Sequence, residues 1–391
     1  MQLSNRITTL TPDASGGWEI YFRARAMVAE GENITELTIG EHDIRTNAAI
    51  IDELHRAAHA GHTGYATIPG IAELRDEIAA RVQAATGVAT QRDNVVITPG
   101  GQAGLFAAHI AVCDPGQTAM FIDPYYATYP GTLRGASAVA HPIAAHAEDA
   151  FQPNPDEIAK AAQDTGAASL LINTPNNPTG VVYARATLDG IAAAATANDF
   201  WVISDEVYDT QLWQGDHLSI RALPDMAERT LVVGSMSKSH AMTGSRVGWV
   251  VGPEDAIAHL INLSTHTTYG VPGYIQEAAL FALRKGEGFE AEIAAPFRRR
   301  RDIALDILSR QNLVRAVPPQ GAMYLMLDIR GTGLSGTAFA ERLLAQRKIA
   351  VMPGESFGQA AAGHIRVAMT VEDTAFATAL SDLMEFAAAQ I

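Results

Sequence analysis

The middle of the chain alternates short runs of β-branched and aliphatic residues with alanine-rich segments, and this alternation constrains the fold more than any other feature. Short apolar runs bounded by turn residues are typical of buried strands, whereas the alanine-rich segments have the length of helices. Such an order predicts a mostly parallel sheet covered by helices on both faces. The predicted strands are 94–98, 119–122, 169–172, 201–204, 230–233 and 247–251, and the helices between them include 102–113, 155–164 and 184–199.

The C-terminal part of the chain follows a different pattern. A long arginine-rich helix is predicted over 287–311, and the segments after it are strands at 313–316, 322–328 and 364–369, a helix near 335–346 and a terminal helix. This order is typical of an α+β unit. We therefore expect a large domain over 46–285 and a small domain built from 1–45 and 286–391.

Charge and cysteine content restrict the possible partners and location. The net charge of −15 disfavours nucleic acid and anionic membrane surfaces. Cys113 is the single cysteine, so no intrachain disulfide can form, and its apolar surroundings predict a buried structural thiol. No apolar run is long enough for a membrane span, and the first residues lack a signal-peptide pattern. We expect a cytoplasmic protein.

Polar motifs follow several predicted strands at the point where each strand ends. In a doubly wound sheet, ligands bind beyond the carboxyl ends of the strands, so these motifs are candidate site residues. Pro99-Gly100-Gly101-Gln102 opens a helix, where paired glycines either let the backbone approach an anion or simply satisfy a tight turn. The segment 173–180 is rich in Asn and Pro, and is either an ordinary turn or a rigid loop that presents an amide donor.

Two charged residues follow further strands. Asp205 comes directly after a buried strand, where it either caps the next turn or needs a cationic or N–H partner. Lys238 follows Gly234-Ser235-Met236-Ser237, and burial there would lower the pKa of its amine and make it nucleophilic, unless the side chain reaches the surface. Arg246 lies eight residues further on and, with the serines, can bind a phosphate.

A lysine amine, a carboxylate, two phosphate-binding loops and an aromatic surface together match the requirements of pyridoxal 5′-phosphate (PLP). This cofactor forms an imine with a lysine, pairs its pyridine nitrogen with an acid and needs anchoring of its phosphate. The sequence therefore predicts a PLP enzyme, with no metal.

Three motifs carry a resemblance to a known family: Ser235-Met236-Ser237-Lys238 with Arg246-Val247-Gly248, Asn176-Asn177-Pro178-Thr179-Gly180, and Asp205-Glu206-Val207-Tyr208. In this order and spacing, the chain resembles the class I, fold type I aminotransferases related to aspartate aminotransferase, over nearly its whole length. The resemblance implies an α/β fold with a mostly parallel seven-stranded sheet flanked by helices, and a smaller α+β domain. It also implies transfer of an amino group between an L-amino acid and a 2-oxo acid by a ping-pong mechanism.

The resemblance implies a role for each matching residue. Lys238 would bind the cofactor and shuttle the substrate proton, Asp205 would pair with the ring nitrogen, and Tyr208 would bind the phenolic oxygen together with Asn177. Arg366 would bind the substrate carboxylate, with Gly40 and Asn177 beside the substrate. Further cofactor contacts are implied for Gly101, Gln102, Ser235, Ser237 and Arg246 at the phosphate, Tyr126 on the ring, and Tyr65 at the phosphate of the neighbouring subunit in a homodimer with shared active sites.

Several features depart from the family pattern or go beyond it. Where the family commonly has Gly-Pro-Asp or Glu-Pro-Asp, this chain has Glu41-His42-Asp43, so a histidine replaces the proline. Ser245, directly before Arg246, stands where the family often has Trp. We expect His42 to be a surface or loop residue, and the arginines at 298–301 to cover a helix face with ion pairs. The segments 237–244 and 297–302 are similar to those of arginine–pyruvate transaminases.

Three functions share these motifs. Transamination is the first. A second is β-elimination by a C–S lyase, which would use the same Lys238 and Asp205. The third is a regulatory PLP-binding module, which the acidic charge disfavours. The amino donor is left open, although the sequence offers no obvious second arginine for a side-chain carboxylate.

Overall fold

A computed structural model describes residues 1–11 and 17–391 of the chain. Three sheets are present in this part, with seven, four and two strands. The strands are β1 (Thr35–Glu36), β2 (Val95–Thr98), β3 (Thr118–Asp123), β4 (Val139–Ala144), β5 (Ser169–Asn173), β6 (Trp201–Asp205), β7 (Thr230–Ser235), β8 (Gly248–Val251), β9 (Arg315–Ala316), β10 (Tyr324–Asp328), β11 (Ile349–Ala350), β12 (Met352–Pro353) and β13 (His364–Ala368).

The large sheet has the order β2-β8-β7-β6-β5-β3-β4. Strands β7, β6, β5, β3 and β4 pair in parallel, and β8 runs antiparallel to both of its neighbours. The predicted α/β fold with a mostly parallel seven-stranded sheet is thus confirmed. Strand β4 was not predicted, because it is an edge strand that contains Pro142 and exposes Val139, so it lacks the buried apolar run of the central strands.

Helices cover both faces of this sheet and surround the smaller ones. The predicted helices at 102–113, 155–164, 184–199, 287–311 and 335–346 are present within a few residues. The helices are α1 (Asn5–Thr8), α2 (Glu19–Ala29), α3 (Ala48–His59), α4 (Ala72–Thr86), α5 (Gly101–Val112), α6 (Tyr129–Gly135), α7 (Pro155–Thr165), α8 (Arg185–Asn198), α9 (Met236–Ser239), α10 (Glu254–Thr265), α11 (Gly273–Leu283), α12 (Glu287–Ser309), α13 (Gly336–Arg347) and α14 (Asp373–Ala388).

The four-stranded sheet is antiparallel, in the order β12-β13-β10-β9. Nearby, β1 from the N-terminal part of the chain pairs in parallel with β11. One apolar core unites these C-terminal elements with α2, and includes Ile20, Leu37, Phe339 and Phe376. The N-terminal segment therefore packs with the C-terminal part of the chain.

The buried apolar residues of the large sheet form cores on its two faces. Cys113 belongs to one of them, as predicted, and burial raises the pKa of its thiol. Three central strands end side by side at Asn173, Asp205 and Ser235. Because these strands are parallel, their polar last residues meet at one edge of the sheet, which faces the four-stranded sheet.

Candidate active site

A cleft lies between this sheet edge and the four-stranded sheet. Its walls contain every residue predicted for the site except Tyr65. The residues of the prediction that line the cleft are Gly40, Gly101, Gln102, Tyr126, Asn177, Asp205, Tyr208, Ser235, Ser237, Lys238, Arg246 and Arg366.

Lys238 lies on the short helix α9, directly after β7. The side chain of Ser235 caps this helix by accepting a hydrogen bond from the amide of Ser237, which keeps the turn tight enough to direct the lysine into the cleft. The lysine Nζ donates to the carbonyl oxygen of Gly40. Burial lowers the pKa of the Lys238 ammonium, so the protein favours the free amine that a nucleophile requires.

Asp205 ends β6 and is only 4% exposed. Its Oδ2 accepts a hydrogen bond from the hydroxyl of Tyr129 at 2.7 Å, and its Oδ1 accepts from the amide of Val207 at 3.3 Å. Burial raises the pKa of Asp205 to about 6, although both hydrogen bonds oppose that rise. A buried carboxylate with so few partners is suited to a cationic ring nitrogen.

Glycine and arginine shape the part of the cleft at the start of α5. Gly100 has a φ of +82°, and a Cβ built on it would lie 2.3 Å from Nη2 of Arg246. The Arg246 side chain therefore fits closely over the glycine turn, where Nη1 donates to the carbonyl of Thr243 at 2.8 Å. Ser235 and Ser237 lie on the other side, with their hydroxyl oxygens 2.9 Å apart. These hydroxyls, the guanidinium and the α5 N-terminus together form an anion-binding site.

Arg366 lies on β13 and is buried, with 2% exposure. Its Nη1 donates to Oδ1 of Asn177 at 2.9 Å, and its Nη2 donates to the carbonyl of Thr38. The guanidinium lies over the rings of Tyr324 and Phe357, whose centroids are 4.4 and 4.3 Å from Cζ. A buried arginine that is held at several points, but has no carboxylate partner among residues 1–11 and 17–391, can receive a carboxylate ligand.

Tyr126 and Gln102 lie along the wall formed by α5 and α6. The Tyr126 ring contacts the Tyr129 ring edge to face at 5.7 Å, and both residues line the cleft together with Asp205. The Gln102 side chain donates to Thr132 at 2.7 Å and accepts from Thr128 at 3.0 Å. These two bonds fix the Gln102 side chain against α6 and leave one N–H of its amide without a hydrogen bond to a described residue.

Tyr65 lies outside the cleft. Its side chain is 93% exposed, and its ring contacts that of Tyr269 edge to face at 5.2 Å. A large aromatic residue that packs so little against its own chain is unusual in a single subunit.

His42 and the arginines at 298–301 differ in part from what the sequence predicts. His42 is a loop residue, but it is not on the surface: it is 9% exposed, packs against Phe297, and burial lowers its pKa to about 4. Among the arginines at 298–301, Arg300 forms the predicted ion pairs, with Asp43 at 2.6 Å and Asp373 at 2.8 Å. It is buried rather than part of an exposed helix face, because it joins the loop after Gly40 to α12 and α14.

The sequence did not point to several residues that line the cleft. Tyr324 contacts Tyr208, Asn177 and Arg366, yet it comes from β10, far along the chain. Tyr129 lies three residues after Tyr126, and the density of aromatic residues at 125–129 was the available signal. Asn173 and Trp18 also line the cleft. The Asn173 side chain donates to the Asp205 carbonyl at 2.9 Å and accepts from the Asn177 amide at 2.7 Å, so it joins two of the loops.

Comparisons with known proteins agree with this geometry. The family model described as aminotransferase class I and II matches residues 32–383. An arginine–pyruvate transaminase of Pseudomonas aeruginosa is 39% identical over 371 residues, which cover 95% of this chain and 94% of the relative. An aspartate/prephenate aminotransferase of Thermus thermophilus is 34% identical and covers 95% of both chains. The crystal structure of a Thermus thermophilus aspartate aminotransferase with maleate superposes with a TM-score of 0.91 at 32% identity, over 98% of this chain and 100% of the other.

The chain therefore belongs to the class I and II aminotransferase family, and it is a PLP-dependent aminotransferase. Such an enzyme moves an amino group between an amino acid and a 2-oxo acid. The cleft fits the cofactor: it contains a half-buried lysine with a lowered pKa, a buried carboxylate and an anion-binding site. The family match and the relatives favour transamination over the C–S lyase and the regulatory module. Among residues 1–11 and 17–391, no helix could span a membrane, and no cluster of three or more metal-ligand side chains occurs.

Proposed function

We propose that Lys238, Asp205 and Arg366 carry the amino-group transfer, and that the amino donors lack a carboxylate in the side chain. The observation that supports the residue roles is that one cleft joins three groups: a lysine whose free amine is favoured by burial, a carboxylate with a pKa raised to about 6, and a buried guanidinium that has no acidic partner in the described part of the chain. When bound, PLP supplies an electron sink for the bonds at the substrate Cα.

The role proposed for each residue follows from its position in the cleft. Arg366 would hold the α-carboxylate by two parallel hydrogen bonds, and the Lys238 amine would move the proton between the substrate Cα and C4′ of the cofactor. Asp205 would keep its negative charge beside the ring nitrogen. Tyr208 and Asn177 would bind the phenolic oxygen, and Tyr126 would cover the ring. The phosphate would be held by Gly101, Gln102, Ser235, Ser237 and Arg246, and Gly40 would border the substrate.

The charge of the cleft supports the choice of donors. Among the described residues, the cationic side chains that line it are Lys238, Arg246 and Arg366, and each already has a role. The segments 60–70 and 264–272, which carry Tyr65 and Tyr269, contain no Lys or Arg. A side-chain carboxylate would therefore be buried without a cation, which is costly. Arginine is the first donor to test, because it is in the name of the relative from Pseudomonas aeruginosa.

Half-reactions test this proposal. The PLP-loaded protein is mixed separately with arginine, alanine, phenylalanine, aspartate and glutamate, and the loss of the PLP absorbance is followed as the amine form of the cofactor accumulates. We expect the arginine and neutral donors to react at least about tenfold faster than aspartate and glutamate at equal concentration, which corresponds to about 1.4 kcal/mol. A clear preference for aspartate would contradict the donor assignment, whereas failure of every donor would contradict the residue roles.

We further propose a homodimer with shared active sites, in which Tyr65 of each subunit reaches the phosphate of the other. The exposed pair of Tyr65 and Tyr269 supports this arrangement. We also propose that 46–285 form the large domain, with 1–45 and 286–391 as the small one, since β1 pairs with β11. A reducing, cytoplasmic location is consistent with the single buried Cys113.

A further inference from the structure

We propose that Tyr324 is a positioning residue with two separable actions: its hydroxyl directs the proton of Tyr208 towards the cofactor, and its ring holds the guanidinium plane of Arg366. The inference rests on the roles proposed above for Tyr208, Asn177 and Arg366. Tyr324 is 2% exposed and begins β10 in the four-stranded sheet. It therefore reaches from that sheet to residues that follow strands of the large sheet.

The direction of the hydrogen bonds follows from the chemistry of the donors. Arginine can only donate, so the contact of 2.9 Å between Arg366 Nη1 and Asn177 identifies Oδ1 as the atom that faces Arg366. The Asn177 amide nitrogen must then face the other way, and it lies 3.4 Å from the Tyr324 hydroxyl. The Tyr324 oxygen is thus an acceptor for Asn177.

The Tyr324 proton is in consequence available for Tyr208, whose oxygen is 2.8 Å away. If Tyr324 donates, then Tyr208 must direct its own proton elsewhere, and the free direction is the cleft that both residues line. The chain of donation runs from Arg366 through Asn177 and Tyr324 to Tyr208. It leaves Tyr208 as a donor to the phenolic oxygen of the cofactor, and each donor in the chain strengthens the next.

The ring of Tyr324 acts separately from its hydroxyl. The Cζ atom of Arg366 lies over the rings of both Tyr324 and Phe357, and the Nε of Arg366 has no hydrogen-bond partner among the described residues. Contact with the two rings restrains the guanidinium plane, while the hydrogen bonds to described residues come from its two Nη atoms. A plane held in this way keeps the remaining donors ordered before a substrate carboxylate arrives.

The packing around Gly40 places the hydroxyl. A Cβ on Gly40 would lie 1.8 Å from the Tyr324 oxygen, so the hydroxyl occupies the space that a side chain at residue 40 would need. The carbonyl of Gly40 in turn accepts from Lys238. Tyr324 therefore has little freedom to move away from Tyr208.

Two substitutions separate the two actions. Tyr324→Phe keeps the ring but removes the hydroxyl, and Tyr324→Leu removes both. The first readout is the pH titration of the absorbance of PLP bound to Lys238, because a donor at the phenolic oxygen lowers the pKa of the lysine-linked cofactor. The second is the dissociation constant of a non-reactive monocarboxylate such as 3-phenylpropionate, which has an α-carboxylate equivalent but no second acid group. Tyr183→Phe is a matched control, because Tyr183 is also buried but lies outside the cleft, and its hydroxyl has no partner among the described residues.

We expect Tyr324→Phe to raise the pKa of the bound chromophore by about half to one unit, the effect of one hydrogen bond, and to change carboxylate binding less than about twofold. Tyr324→Leu should show a similar spectral shift and about tenfold weaker carboxylate binding. Tyr183→Phe should match the wild type in both.

Each action can be overturned separately. An unchanged titration in Tyr324→Phe would overturn the hydrogen-bond direction. Normal carboxylate binding in a folded Tyr324→Leu protein, with its fold checked by melting temperature, would overturn the stacking role. If the wild-type protein binds no PLP at Lys238, the residue roles under the proposed function are wrong. This outcome is distinguishable from failure of the Tyr324 proposal because it is seen in the wild type, before any variant is measured.

Discussion

The hydroxyl of Tyr129 donates a hydrogen bond to Oδ2 of Asp205 at 2.7 Å, and both side chains are buried. Burial raises the pKa of Asp205, and this hydrogen bond is the largest effect that opposes the rise. Tyr129 therefore helps to keep Asp205 ionised in a site that would otherwise favour the neutral acid. The same hydrogen bond fixes the position of the carboxylate, and the ring of Tyr129 in turn contacts that of Tyr126 edge to face.

Removal of this hydroxyl should change the pH range of cofactor binding. The pKa of Asp205 is about 6 without the cofactor, so the carboxylate is present above that pH and is lost as the pH falls through it. Tyr129→Phe should raise this pKa by roughly one unit and move the acidic limit of PLP binding upward by a similar amount. The measurement is the PLP dissociation constant between pH 5 and 8. Tyr125→Phe, a neighbouring tyrosine outside the cleft, is the control, and equal pH profiles for the two variants would contradict the prediction.

Asp205 itself should affect the rate more than the binding of the cofactor. A carboxylate at the ring nitrogen stabilises negative charge that develops only during the reaction, whereas the phosphate contacts are unaffected. We expect Asp205→Ala to lower kcat by about a thousandfold or more and to weaken PLP binding by only about tenfold, the loss of affinity that protonation of Asp205 at low pH should also cause. Single-turnover rates with saturating PLP provide the test. Near-normal turnover with PLP bound would show that Asp205 has a different role.

Lys238 should be the residue that binds PLP covalently. Reduction of the loaded protein with borohydride should bleach the chromophore and leave a label on the peptide that contains Lys238. Lys238→Ala should lose both the label and the activity. Lys285→Ala is the control, since Lys285 lies over Phe281 and Phe289, outside the cleft. A label on any other lysine would refute the assignment.

Arg366 and Arg300 provide a contrast between substrate binding and structure. Lysine keeps the charge but loses the two parallel hydrogen bonds, so Arg366→Lys should weaken amino-acid and 2-oxo-acid binding at least about tenfold, with PLP affinity unchanged and a small loss of thermal stability. Arg300→Lys should instead lower the melting temperature and leave substrate binding nearly unchanged, because Arg300 joins Asp43 to Asp373. Melting temperatures and KM values for several substrates separate the two. An Arg366→Lys protein that melts much earlier but keeps its substrate affinities would make Arg366 structural.

The shared-site dimer predicts complementation. A heterodimer of Lys238→Ala and Tyr65→Ala subunits contains one site with both substitutions and one site with neither. Co-expression with two different tags, followed by double purification, should therefore recover about half of the wild-type activity per dimer at limiting PLP, while either homodimer should be much less active. If the heterodimer is no more active than the two homodimers, Tyr65 acts within its own subunit or has no role.

The sequence by itself determined the large sheet and the chemistry of its strand ends. The apolar run of a buried strand is recognisable from the local sequence alone, without knowledge of the strands it pairs with. Asp205 and Lys238 are identified because a charged side chain directly after such a run is costly to bury unless it has a partner or a function. Strand β4 was missed because an edge strand needs no apolar run. The burial of His42 was missed because polarity predicted the surface, whereas Phe297 and the ion pair of Asp43 with Arg300 bring its loop inside.

Only the tertiary structure decided which distant residues meet. Tyr324 lies 116 residues from Tyr208 and 147 from Asn177, and nothing in the local pattern of β10 distinguishes it from a core residue of the small sheet. Its hydroxyl reaches both because the two sheets pack across the cleft. Strand-end chemistry is local, and a sequence records it directly. The hydrogen-bond directions that relate Arg366 to Tyr208 depend on distances between separate elements, which are set by the packing of whole sheets.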